Sequence, residues 1–130
     1  MKKILIICAA VATLGTTALV STKDLLGTVK RMHYFAKELN NNITFAFTQA
    51  GIHLTTKQTQ IGRDESDIGA QVEGTDNKIA ISSTYLIDFL ARIDAESVSV
   101  ELSDKMHPAV FKLGEEQYLH LIMPLRMVDE

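Results

Sequence analysis

The residue types able to do covalent chemistry are present in this chain, but never at a spacing that would join them. His33, His53, His107 and His120 are its four imidazoles, and none falls in a pattern such as H-E-x-x-H, which sets two metal ligands on one helix face. Asp64-Glu65 and Glu115-Glu116 are adjacent acidic pairs in stretches that read as loops, where carboxylates are solvated rather than paired as general acid and base. No Ser-His-Asp arrangement and no glycine-rich phosphate loop can be traced. The single cysteine, Cys8, lies near the start of the chain, so neither an intrachain disulfide, a structural zinc site nor a catalytic thiol can be built in the folded part. An enzyme, a metal centre or a cofactor site is therefore not expected.

What remains is the chemistry of contact. Lys23, Gly27, Lys30, Tyr34 and Lys37 follow one another at intervals of four, three, four and three, which on a helix lines three ammonium groups along one side. Taken alone, that is the solvated face of a helix. A net charge of -3 argues against a general polyanion binder, although Lys23, Lys30, Arg31 and Lys37 keep a local basic strip.

The elements that would position these groups are legible from periodicity. With 46% hydrophobic and 22% charged residues in 130, one globular domain is expected. Ser21-Thr22-Lys23-Asp24 offers N-cap chemistry. Leu25, Leu26, Val29, Met32 and Ala36 recur at helical spacing, predicting a helix over residues 21–39. Asn40-Asn41-Asn42 ends it. Ile43, Phe45 and Phe47 then alternate as a strand, Gln49-Ala50-Gly51 turns, and residues 52–56 return. Ile68, Ala70 and Val72 alternate next, followed by a turn at residues 74–77 and a strand at 78–81. Ser82-Ser83-Thr84 caps a second, short helix that turns Leu86, Phe89, Leu90 and Ile93 inward, and three more strands follow over residues 98–102, 109–112 and 118–123. Amphipathic helices and an antiparallel sheet must bury their apolar sides together. The expected architecture is α+β, with two helices packed on one face of an antiparallel sheet.

The first 18 residues fit this less easily. Lys2-Lys3, the apolar run Ile4 to Leu14 and the small residues Gly15-Thr16-Thr17-Ala18 have the layout of a secretory leader. The same stretch also reads as a first β-strand or as an extension foreign to the domain. The division expected from sequence is an apolar leader at 1–18 and a domain at 19–130.

Two stretches, Ile79-Ala80-Ile81-Ser82-Ser83-Thr84-Tyr85-Leu86-Ile87-Asp88-Phe89-Leu90 and Tyr118-Leu119-His120-Leu121-Ile122-Met123-Pro124-Leu125-Arg126, resemble the C-terminal domain of the bacterial sliding clamp, the DNA polymerase III beta subunit. Leu102-Ser103-Asp104-Lys105-Met106-His107-Pro108-Ala109 is similar to the loop between them. The likeness extends back to about Ala18. It implies the DNA-clamp fold and a non-catalytic processivity factor, three such domains forming one protomer and two protomers closing a ring around duplex DNA. Lys23, Lys30, Arg31, Lys37 and Arg92 would then face DNA phosphates without regard to sequence. Ser82, Tyr85, Met106, Pro108, Leu121, Ile122, Met123, Pro124, Leu125 and Arg126 would line a groove for short linear peptides of the polymerase and repair proteins. Other implied partners are the clamp loader and further copies of the chain, in the cytoplasm. The leader motivates the alternatives of an exported or membrane-tethered binding module using the clamp fold, or a truncated clamp fragment.

Overall fold

Alternation starts before the first helix. In the computed structural model, which describes residues 15–57, 60, 62–104, 106–113 and 119–125, strand β1 runs over Thr16–Ser21 and sends Ala18 and Val20 into the core. The division expected between residues 18 and 19 thus falls inside a paired strand: Thr16 and Ala18 are fully buried and matched to residues on both sides. A short Thr-Thr-Ala-Leu-Val-Ser run satisfies the small-residue end of a leader and a strand equally well, and partners distant in sequence decide between them. The leader reading of residues 1–14 lies outside the described residues. No helix among the described residues is long and apolar enough to cross a membrane.

Helix α1, Thr22–Ala36, begins where expected. The Ser21 hydroxyl accepts the Asp24 N–H at 3.3 Å, and Leu25, Val29, Met32 and Ala36 are buried. The predicted extension to residue 39 is instead a tight turn, Lys37–Leu39, closed by Asn40 and Asn41 in the left-handed region, φ 58° and 63°. Asn tolerates that region better than most side chains, which accounts for the asparagines here.

Strands β2 (Asn42–Thr48) and β3 (Gly51–Thr55) form the hairpin, and β4 (Glu65–Ile68) pairs with β3. The chain crosses at Gly69 to β5 (Ala70–Gly74), which pairs with β1 instead. What the sequence presented as one alternating strand through Ile68, Ala70 and Val72 is therefore two strands in two sheets. Strand β6 (Asn77–Ser82) leads into helix α2 (Ser83–Leu90), followed by β7 (Ser97–Leu102), β8 (Ala109–Lys112) and β9 (Leu119–Ile122).

The single sheet expected from sequence resolves into two antiparallel sheets, ordered β5-β1-β7-β8-β9 and β4-β3-β2-β6. Strong twist makes a split into packed sheets a common outcome for many short strands. The sheets meet along both sides. Gly69 joins β4 to β5, and beyond β9 the Leu125 N–H donates to the Ala80 carbonyl of β6 at 2.8 Å. The two helices pack on each other, α1 also touching β1, β2, β4 and β7 and α2 touching β6. One core results, in which Phe89 and Phe111 lie 5.3 Å apart between ring centres. The α+β class stands.

Candidate functional site

Helix α2 is held firmly at its start. The Ser82 hydroxyl accepts the Tyr85 N–H at 3.4 Å, the Ser83 N–H donates to the Asn41 carbonyl at 2.8 Å, and the Ser83 hydroxyl lies 2.6 Å from Nδ1 of His33 on α1. Ser83 is fully buried, so this His-Ser contact braces the helices and offers no nucleophile to a substrate. From that anchored start, Tyr85 and Asp88 recur at helical spacing along the side of α2 that looks toward β9, and Arg92 follows in the turn beyond the helix.

Between α2 and β9 runs a groove of about 660 Å³. Of the residues expected to form a peptide site, it brings together Tyr85, Leu121, Ile122 and Met123. Tyr85, Leu121 and Met123 are 61%, 59% and 63% exposed, while Ile122 is buried and forms floor. Large apolar side chains exposed side by side around a concavity mark a contact surface more strongly than the same residues scattered singly.

The other expected groove residues are placed differently. Ser82 is the helix cap and nearly buried. Met106 and Pro108 sit in the β7–β8 loop and do not line this groove. Met106 is 73% exposed, carried on a turn in which the Asp104 carboxylate accepts the Met106 N–H and contacts Nδ1 of His107, each at 2.8 Å. The His107 hydrogen bond, then that of Met106, hold the Asp104 carboxyl below its ordinary range. Pro124 and Leu125 are half-buried in the tail that reaches Ala80. Arg126 lies outside the described residues.

Asp88, Phe89, Arg92, Ile93, Asp94, Leu113 and His120 also line the groove and were not assigned to it from sequence. The helical spacing from Tyr85 through Asp88 to Arg92 was the available signal. Arg92, expected among the DNA-facing cations, lies in the turn just past α2 and also lines the groove.

On α1 the basic stripe is arranged as its spacing required. Lys23, Gly27, Lys30, Tyr34 and Lys37 are all exposed, opposite the buried face. The Lys37 ammonium lies 5.0 Å from the centre of the Tyr34 ring. Arg31 departs from the stripe: its guanidinium donates to the Asp64 carboxylate and, at 2.7 Å, to the Ser66 hydroxyl, so it ties α1 to the edge of the four-stranded sheet. His53 is similarly engaged, with Asp67 at 2.7 Å and Glu65 at 3.2 Å. No grouping of three or more potential metal ligands occurs among the described residues.

A family model described as the DNA polymerase III beta subunit, C-terminal domain, matches residues 13–126. Among curated proteins, the beta sliding clamp of Synechocystis sp. is 28% identical over 116 residues, which are 87% of this chain and 30% of that protein. The Bacillus subtilis beta sliding clamp is 27% identical over 115 residues, 85% of this chain and 30% of its own length. Among solved structures, a DNA polymerase III beta subunit from Thermotoga maritima superposes with a TM-score of 0.84 at 25% identity, covering 88% of this chain and 32% of that one. The DNA polymerase sliding clamp of Bacillus subtilis gives 0.82 at 25% identity, covering 88% and 31%. The chain spans about a third of the length of these relatives.

Proposed function

Because the chain belongs to the family formed by the C-terminal domain of the DNA polymerase III beta subunit, we propose that it serves as a non-catalytic processivity module, docking short linear peptides of polymerase and repair proteins in the groove between α2 and β9. The observation that carries this reading is the set of exposed apolar side chains, Tyr85, Leu121 and Met123, gathered on that groove. Peptide recognition in a pre-formed groove needs apolar anchors and little rearrangement, and methionine adapts to more than one partner shape.

The same reading gives Lys23, Lys30 and Lys37 the task of facing duplex DNA phosphates. Three solvated ammonium groups on a helix supply sequence-independent attraction that is individually weak and easily exchanged, as a sliding contact requires. Arg31, already neutralised by Asp64, contributes less. A ring around DNA would need the remainder that the longer relatives possess or further copies of the chain, and the clamp loader is the partner such a ring implies. The setting proposed is the cytoplasm. Export with leader removal near Ala18 is disfavoured, because the cut would take Thr16, Thr17 and Ala18 out of a strand paired on both sides. We place Pro124 and Leu125 beside the groove as part of its supporting tail.

A titration with a short peptide rich in Gln and Leu tests the proposal. Met123→Asp is expected to weaken binding at least tenfold, since a carboxylate would be desolvated against the peptide's apolar side chains, with the thermal midpoint of the protein close to that of the parent. Absence of binding by the parent chain, or indifference to the substitution, would overturn the docking role.

A further inference from the structure

We propose that Tyr34 makes the basic face of α1 a seat for unpaired DNA, one base stacking on its ring while Lys30 and Lys37 hold the phosphates on either side; the inference rests on the reading that this face meets DNA. Tyr34 is 56% exposed on a stripe whose other members are lysines and a glycine, and it stands outside both the core and the groove beside α2. The ring is nevertheless held. It meets Phe35 at 5.4 Å between centres with the planes 89° apart, and the Lys37 ammonium lies 5.0 Å from its centre. An aromatic side chain already ordered at the surface loses less freedom when a ligand arrives.

The spacing suits a nucleotide strand. Along the helix axis Lys30 stands about 6 Å before Tyr34 and Lys37 about 5 Å after it. Unlike Arg31, none of Lys23, Lys30 and Lys37 enters an ion pair among the described residues. The carboxylates of this segment, Asp24 and Glu38, each follow a stripe lysine by one residue and so fall off its line. In a duplex the base faces are covered by their neighbours, and a ring on a helix surface reaches only sugar and phosphate. The lysines therefore act on either form of DNA, and the ring acts on an unpaired strand alone. Every base has a π face, so the selection is for strandedness and not for sequence. When a base takes the ring, the Lys37 ammonium exchanges its place over Tyr34 for a phosphate, a charge-assisted contact.

The experiment titrates the full chain against three labelled probes at low salt, where phosphate contacts are strongest: an oligothymidylate, a strand of equal length built from abasic residues, and a duplex. The parent is expected to bind the oligothymidylate at least about fivefold more tightly than the abasic strand, the lower bound for one base stacked on an aromatic ring. Tyr34→Ala should close that gap to within about twofold and Tyr34→Phe should keep it, with duplex affinity unmoved in both. Lys30→Ala should weaken all three probes alike. Equal affinity of the parent for the two single strands, or a gap that persists in Tyr34→Ala, would overturn the inference and leave the phosphate-facing role of the lysines intact. A gap that closes in Tyr85→Ala instead would place the strand in the groove and overturn it equally. Failure of the parent to bind any probe would overturn that role and the inference with it.

Discussion

Phe111→Ala is expected to lower the free energy of unfolding by about 3–5 kcal/mol, the range for removing a phenyl ring from a packed interior. Phe111 is 1% exposed and joins β8 of the five-stranded sheet to α2 through Phe89. Domains of this size hold only about 5–15 kcal/mol in all, so the variant would unfold at markedly lower urea concentration. The effect should reach the groove as well, because the ring beneath the Phe89–His120 stack would be gone. Urea titration followed by circular dichroism measures the first consequence and peptide titration of the folded fraction the second. A loss below about 1.5 kcal/mol would mean that neighbouring side chains close the gap and that Phe111 is not the support described.

The second large effect is predicted where two backbones touch. Gly74 has φ +98°, and a Cβ added there would stand 2.2 Å from the Gly15 carbonyl oxygen. Neither atom is at the end of a flexible side chain, so the strands would have to part where Thr16 pairs with Gly74. Gly74→Ala should therefore destabilise by about 2–4 kcal/mol, combining left-handed strain with the forced separation. Gly27 provides the contrast, since a Cβ there meets nothing within 4 Å in the middle of α1. Gly27→Ala should stabilise by roughly 0.5–1 kcal/mol through helix propensity. The paired denaturation curves should move in opposite directions; equal shifts would refute the close approach at residues 15 and 74.

The parts of the molecule legible in the sequence are those governed by local periodicity. Leu25, Val29, Met32 and Ala36 are inward because a 3.6-residue repeat leaves no other choice, and the exposure of Lys23, Lys30 and Lys37 follows from the same repeat. Ile43, Phe45 and Phe47 are buried along β2 as alternation required. Features created by distant partners were not legible. Nothing local distinguishes Thr16–Ser21 as a strand from a leader's end, and nothing at Gly69 announces that Ile68 and Val72 belong to different sheets. Tyr85, Leu121, Ile122 and Met123 were placed together by resemblance to a family, whereas Asp88, Arg92 and His120 join them only because β9 lies beside α2. Arg31 reads as one more cation of the strip, and its engagement with Asp64 depends on where β4 comes to rest.

The placement of β1 between β5 and β7 bears on how the chain acquires its shape. Thr16 must find Gly74 on one side and Leu102 on the other, so β1 is completed only after the polypeptide through β7 has emerged. Hairpin β2–β3 and the flanking helices can form locally beforehand, but closure of the larger sheet waits on pairings remote in sequence, which places its assembly on the slow side for a domain of this length. Until then both rims of that early segment are open to pairing with other chains, and dilution or a chaperone present during synthesis would favour the productive route.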